Sequence, residues 1–256
     1  MSREEFMKHI IVKTGLMTLK MFGKTGVKYT KKHAADVVTE ADLIANKMIS
    51  GGIKKFFPDD GIISEEEPDY NINAEYVWIV DPVDGTFNYS RGVPLFGLMI
   101  GLKKGNEIVM SAIYHPYFKD LYFAKKGKGA FRNGKRIHCS MRKEFHHSFG
   151  CDSPVWETRR KPYTDALMNK IGKEIVWIAT PGSMAISAAY TATGGRDWLT
   201  SWNGGIWDYA ASSLLLQEAG CKITNIKGKP WTTDDKTMVA ANPVLHKKII
   251  GLTKDL

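Results

Sequence analysis

The run Tyr76-Val77-Trp78-Ile79-Val80 leads without a spacer into Asp81-Pro82-Val83-Asp84-Gly85-Thr86. Five consecutive β-branched, aromatic or aliphatic residues predict a strand. Two carboxylates three positions apart then fall where that strand ends. Pro82 restricts the turn and Gly85 permits unusual dihedrals, so both acids can be aimed into one small volume. The same six residues also serve as a plain Asp-Pro turn with Asp84-Gly85 as surface punctuation, and taken alone they do not choose.

Upstream, Ile62-Ile63 predicts another short strand, and Ser64-Glu65-Glu66-Glu67 follows it at once. Taken alone, three successive glutamates read first as a solvated acidic loop. Farther upstream, Phe6, Met7, Ile10, Ile11 and Thr14 fall at helical spacing and predict an amphipathic helix to about residue 21. A basic loop separates it from a second helix, capped by Thr39 and running to about residue 55, in which Thr39 and Asp42 form a capping-box pair.

Downstream, apolar segments over 95–102, 108–114 and 121–124 with turn residues between them predict a meandering antiparallel sheet. Beyond about residue 145 strand and helix alternate: a strand over 175–179, a helix over 183–193 capped by Gly194, a helix over 208–219 closed by Gly220, strands at 223–224 and 238–241, and a last helix opened by Asn242-Pro243. An α+β front half, residues 1–144, is expected to join an α/β rear half, residues 145–256, whose mixed sheet carries flanking helices. In the rear half Asp208 opens its helix, and capping alone would account for it.

At 256 residues, 43% of them hydrophobic, the chain can bury a large core, which excludes a disordered or fibrous class. The acidic start, Met1-Ser2-Arg3-Glu4-Glu5, lacks the basic and apolar run of a secretory signal, and no apolar stretch reaches spanning length, so a cytoplasmic protein without a membrane partner is expected. Three scattered cysteines fit reduced structural thiols. The net charge of +9 points to an anionic partner. Lys125-Lys126-Gly127-Lys128 and the run from Arg132 to Arg136 contain the turn pair Asn133-Gly134, so they read as faces of a β-hairpin before they read as a nucleic-acid patch. His33, His115 and His138 stand singly, and His146-His147 lacks the spacing of a helical metal pair; no phosphate loop or nucleophile elbow is present.

Each acid has a structural explanation, and their order decides between the readings. Thr39-Glu40-Ala41-Asp42 on an early helix, a glutamate cluster, Asp81-Pro82-Val83-Asp84-Gly85-Thr86, and Trp207-Asp208 at a late helix together resemble the inositol monophosphatase family over nearly the whole chain. That resemblance implies a layered α-β-α-β-α sandwich and hydrolysis of a small-molecule phosphate monoester with two or three Mg2+ ions. It makes Glu65, Asp81 and the Val83 carbonyl ligands of a first ion and Asp81, Asp84 and Asp208 ligands of a second, with a weaker third position near Glu65. Thr86 and Asp42 match the pair that positions and activates the attacking water. Asn88 and Gly182-Ser183-Met184 match residues that line the substrate pocket, beside Asp84 and Asp208, and relatives are commonly homodimers and lithium-sensitive; the backbone amides of Gly85 and Thr86, at the start of a short helix, are expected to bind phosphate oxygens.

The chain departs from the pattern at Thr200-Ser201-Trp202-Asn203, where inositol-preferring animal members carry an acid that binds sugar hydroxyls. Inositol monophosphate or a related sugar phosphate therefore shares the field with fructose 1,6-bisphosphate, histidinol phosphate and adenosine 3′,5′-bisphosphate. A basic RNA- or protein-binding module is the expectation from another class.

Overall fold

Ser2 starts the first helix, α1 (Arg3–Met21): its hydroxyl accepts the Glu5 amide at 3.2 Å, while the Glu5 carboxylate accepts the Ser2 amide at 2.8 Å. This reciprocal cap satisfies amides that the first helical turn leaves without partners. Phe6, Met7, Ile10, Ile11 and Thr14 are all buried, as their spacing predicts. The computed structural model describes residues 1–24, 26–31, 36–154 and 160–256, and His33 lies outside them.

A short ribbon, β1 (Val27–Thr30) and β2 (Val37–Thr39), leads into α2 (Glu40–Phe56). There follow β3 (Gly61–Ser64), β4 (Tyr76–Asp84), a one-turn helix α3 (Thr86–Ser90), β5 (Gly97–Lys104), β6 (Glu107–His115), β7 (Asp120–Lys125), β8 (Gly129–Arg132) and β9 (Lys135–Ile137). Strands β3 to β9 form one sheet in chain order, antiparallel throughout except that β3 and β4 run parallel. The rear half contains β10 (Phe149–Pro154), α4 (Arg160–Ile171), β11 (Trp177–Ala179), α5 (Met184–Ala192), β12 (Trp198–Trp202), α6 (Ile206–Glu218), β13 (Lys222–Thr224), β14 (Thr237–Ala241) and α7 (Pro243–Thr253). Its five-stranded sheet has the order β11-β10-β12-β14-β13, with β10 parallel to both neighbours and β14 antiparallel to both of its own.

Side-chain alternation along the seven-stranded sheet builds the layers. Trp78, Val80, Leu98, Ile100 and Leu102 face a core shared with Phe6, Ile10 and Ile49 of α1 and α2. Ile79, Met99 and Ile113 face the opposite way, into a core with Ala185, Ala210, Leu214 and Leu215 of α5 and α6. The other side of that helical layer meets Leu199 and Ala240 of the second sheet, and α7 covers the outer face through Leu245 and Ile249 against Val239. The result is the expected α-β-α-β-α sandwich. Gly101 lets α6 lie close to β5: a Cβ there would stand 3.0 Å from the Ala210 Cβ and 3.3 Å from its carbonyl carbon.

Two local expectations need correction. Strand β4 does not end at Val80; its pairing with β5 continues to Asp84, with Asp81 opposite Met99 and Asp84 opposite Gly97. The three-residue step against two is a bulge, imposed because Pro82 has no N–H for the ladder. Nor does Asp208 cap α6. That helix begins at Ile206 with Gly205 as its cap, and Asp208 in the first turn accepts the Gly205 amide at 2.6 Å.

The basic runs form the turns of β7, β8 and β9, as their glycines predict. Much of that charge is met within the molecule: Lys125 pairs with Glu4 at 3.0 Å, Lys126 with Glu107 at 2.5 Å, and Arg132 with Asp120 at 2.6 Å. No described helix is long and apolar enough to cross a membrane.

Candidate active site

The end of β4, the first turn of α6 and the start of α5 meet where the two sheets come together. Carboxylate oxygens of Asp81, Asp84 and Asp208 lie within 4.8 Å of one another. Asp81 and Asp84 are buried, and Asp208 is half-buried. Asp81 Oδ1 is buried with no hydrogen-bond partner among the described residues. An orphaned, buried carboxylate oxygen among two further carboxylates is the donor set of a hard divalent cation, because no described side chain compensates it. The residues fit such an ion.

Burial is the main reason that Asp81, Asp84 and Asp208 are all pushed above the ordinary carboxylate range, and the charges of neighbouring acids add to it at Asp81 and Asp208. Asp84 is partly relieved. It accepts the Ser183 hydroxyl, the Met184 amide at 3.0 Å and the Ala185 amide at 2.9 Å, and so binds the N-terminal end of α5. Ser183 and Met184, expected at the substrate pocket, are thus committed to holding a carboxylate.

Glu65 follows β3, its amide donating to the Val80 carbonyl at 3.2 Å. It is close enough to raise Asp81 and Asp208 electrostatically, but its carboxylate is outside the three-acid cluster. Lys31 holds it at 3.1 Å and Glu66 at 2.7 Å. Sequence reasoning missed Lys31, since nothing distinguishes it from other lysines in a basic loop. Burial lifts Glu65 to about 7 against the lowering effect of Lys31. Ser64 donates to Asn46 Oδ1 at 2.7 Å and ties this segment to α2.

Asp42 lies fully buried in the first turn of α2, where Oδ2 accepts the Thr39 amide at 2.9 Å and the Thr39 hydroxyl. Its Oδ1 stands 2.8 Å from Thr86 Oγ1, which is also 2.7 Å from the Val83 carbonyl. The capping arrangement read from the sequence is present, and it orients the free oxygen toward Thr86. Burial raises Asp42 to about 6.

Gly85 caps α3 with φ +82°, and a Cβ there would meet the Leu95 carbonyl at 2.9 Å and Ser183 Cβ at 3.0 Å. Only glycine fits. Asn88 donates to the carbonyls of Leu95 and Pro181, both at 2.8 Å, and so braces the loop that carries Gly182. At the departure noted above, Ser201 donates to the Ser153 carbonyl at 2.7 Å and lies 3.1 Å from the Tyr209 hydroxyl.

Residues 4–256 match the family model described as the inositol monophosphatase family. The chain belongs to that family. The fructose-1,6-bisphosphatase/inositol-1-monophosphatase of Aquifex aeolicus is 34% identical over 88% of this chain and 84% of its own. The histidinol-phosphatase of Chlorobaculum parvum is 31% identical over 93% of this chain and 92% of its own. The crystal structure of the extragenic suppressor protein suhB from Bartonella henselae superposes with a TM-score of 0.92 at 29% identity, covering 98% of both chains. Inositol monophosphatase family members are metal-dependent and act on small phosphorylated substrates, and this chain is a phosphoric monoester hydrolase.

Proposed function

We propose that the protein hydrolyses an inositol monophosphate or related sugar phosphate with Mg2+ at the Asp81, Asp84 and Asp208 cluster. The observation that carries this reading is the orphaned Asp81 Oδ1 among converging carboxylates. Asp81, Glu65 and the Val83 carbonyl would hold one ion and Asp81, Asp84 and Asp208 a second, with Glu65 able to help hold a weaker third. Bound there, the cations supply Lewis acidity toward the phosphoryl group and the attacking water.

The chain's own residues handle the proton. A hydroxyl has one hydrogen, so Thr86 Oγ1 can pass its proton to Asp42 Oδ1 at 2.8 Å while taking one from water. With its carboxyl lifted to about 6, Asp42 is ionised at neutral pH yet basic enough to accept that proton. Thr39 holds the other oxygen and fixes the direction of transfer. Amides at the start of α3, Gly85 and Thr86, lack intrahelical acceptors and suit phosphate oxygens. Ser183 and Met184 support the pocket by fixing Asp84, and Gly182, braced by Asn88, leads into them.

Ser201, where an acid would favour polyol hydroxyls, is bonded to backbone, so inositol need not be preferred. Fructose 1,6-bisphosphate, histidinol phosphate and adenosine 3′,5′-bisphosphate are the competing substrates. A phosphate-release screen over these compounds, with and without Mg2+, tests the reading; release that persists after chelation overturns it. We further place the enzyme in the cytoplasm as a lithium-sensitive homodimer. The outer strand β11 carries exposed Trp177, with Phe149 and Ile175 exposed beside it, and offers a surface for a second copy; sedimentation as a monomer at micromolar concentration would refute that.

A further inference from the structure

Behind Asp84 the seven-stranded sheet and α5 meet at one point. Gly97 of β5 pairs with Asp84 across the ladder, and Ala185, in the first turn of α5, donates its amide to Asp84 Oδ2 at 2.9 Å. A Cβ at Gly97 would stand 2.8 Å from the Ala185 Cβ, 3.0 Å from Cδ2 of His115 and 3.1 Å from the Tyr114 carbonyl oxygen. Those distances leave no room for a side chain, so glycine here lets the helix seat directly on the strand that pairs with Asp84.

His115, the last residue of β6, forms the other wall of this contact. Alternation along the strand puts it on the face that carries Ile113, toward α5. It is 1% exposed, and its ring lies 5.1 Å from that of Tyr122. Neither ring nitrogen makes a hydrogen bond of ordinary length and angle among the described residues, although the Ala185 backbone lies close enough to favour a proton on the ring. Asp120, opposite on β7, does not relieve it, being held by Arg132 at 2.6 Å and Asn133 at 2.9 Å. A buried imidazole left so poorly met is costly where an apolar side chain would carry no such penalty.

We propose that Gly97 and His115 are positioning residues for the hydrolysis: together they set how closely α5 seats on β5, and through the Ala185 amide they fix the carboxylate of Asp84. This rests on Asp84 holding Mg2+ as read above. Groups that orient a ligand from behind are worth about 10–100-fold in metal affinity or activity, while the fold tolerates their loss. The flat edge of the imidazole fits over Gly97, where a branched aliphatic side chain presses on strand and helix. Removing the unmet nitrogens therefore gains stability and loses the seat.

Calorimetric Mg2+ titration and phosphate release, each at a temperature where circular dichroism shows the protein folded, test this. Gly97→Ala should raise the Mg2+ dissociation constant about tenfold or more, with turnover largely recovered in excess Mg2+. Adding Ala185→Gly removes the clashing carbon and keeps the amide, and should return the constant to within about threefold of the unsubstituted protein. His115→Leu should unfold at the same temperature or higher and still bind Mg2+ about tenfold more weakly. A merely structural role gives the reverse, a lower unfolding temperature with an unchanged constant. If Gly97→Ala alone does not fold, recovery of folding and Mg2+ affinity in the double variant supports the seat. Unchanged Mg2+ affinity in the folded variants, or no recovery in the double variant, overturns the proposal while leaving the metal reading intact. Absence of Mg2+ binding by the unsubstituted protein overturns the metal reading, and the positioning falls with it.

Discussion

The Lys31 ammonium lies 3.1 Å from a Glu65 carboxylate oxygen and 2.7 Å from one of Glu66, so a lysine from the loop after β1 supplies counter-charge at the edge of the acidic cluster. A divalent cation competes with that charge for Glu65. Replacing Lys31 by Ala removes a like charge beside the cation and releases the carboxylate. The Mg2+ concentration giving half-maximal activity should fall on the order of threefold, the size expected of a partly exposed ion pair. A metal titration of phosphate release checks this, and an unchanged or higher requirement contradicts it.

Asp84→Asn should reduce turnover by about 10²-fold or more, because the variant loses an ionic oxygen from the cluster. The same side chain holds the start of α5 through Ser183, Met184 and Ala185. An amide keeps one acceptor there and presents N–H groups to donors, at a cost of about 1 kcal/mol, offset by weaker repulsion among the acids. Urea unfolding should show a small change while phosphate release nearly vanishes.

Gly85→Ala forces a left-handed backbone on a residue with a Cβ and drives that carbon against the Leu95 carbonyl. The backbone conformation alone costs about 1–2 kcal/mol. Since Gly85 joins β4 to α3, the variant should lose activity beyond its loss of stability. Activity at a temperature where both proteins are fully folded separates the two effects.

Protonation and metal binding oppose each other at the cluster. Glu65 rises from 4.5 to about 7 in the fold, and Asp81, Asp84 and Asp208 are raised from 3.8. A carboxyl whose folded value is raised binds its proton more tightly in the native state than in the unfolded chain. Its contribution to stability is therefore present at low pH and lost as pH climbs from about 4 through the folded value. Mg2+ replaces those protons, so the thermal shift it produces should grow between pH 5 and pH 8 on the order of several degrees. Taking the difference with and without Mg2+ at each pH cancels groups outside the cluster, such as buried His115 and His246, both held down near 4. A shift independent of pH would contradict the linkage.

Much of this molecule is read from local pattern. The spacing of Phe6, Met7, Ile10 and Ile11 marks the buried face of α1, and Asn242 caps α7 by accepting the amides of Val244 and Leu245. Strands β10 and β12 were not legible. Phe149-Gly150-Cys151-Asp152-Ser153-Pro154 is rich in residues that favour turns, and it becomes a strand because two neighbours pair with it. Trp198-Leu199-Thr200-Ser201-Trp202 is buried at every position, its polar side chains met by Ser148, Asp152 and Ser153, which period alone cannot foresee.

For the site, each acid read locally had a structural explanation, and it was the family resemblance carried by residue types and their order along the chain that singled out Asp42, Glu65, Asp81, Asp84, Thr86 and Asp208. Which of them share a volume was decided by the fold. Asp81 and Asp84 approach Asp208, more than 120 positions away, only because α6 packs across the seven-stranded sheet; Glu65 is turned aside by a lysine that sequence cannot single out. Local chemistry is written in neighbouring residues. Convergence depends on how whole layers bury their apolar faces, and that is settled only when the layers meet.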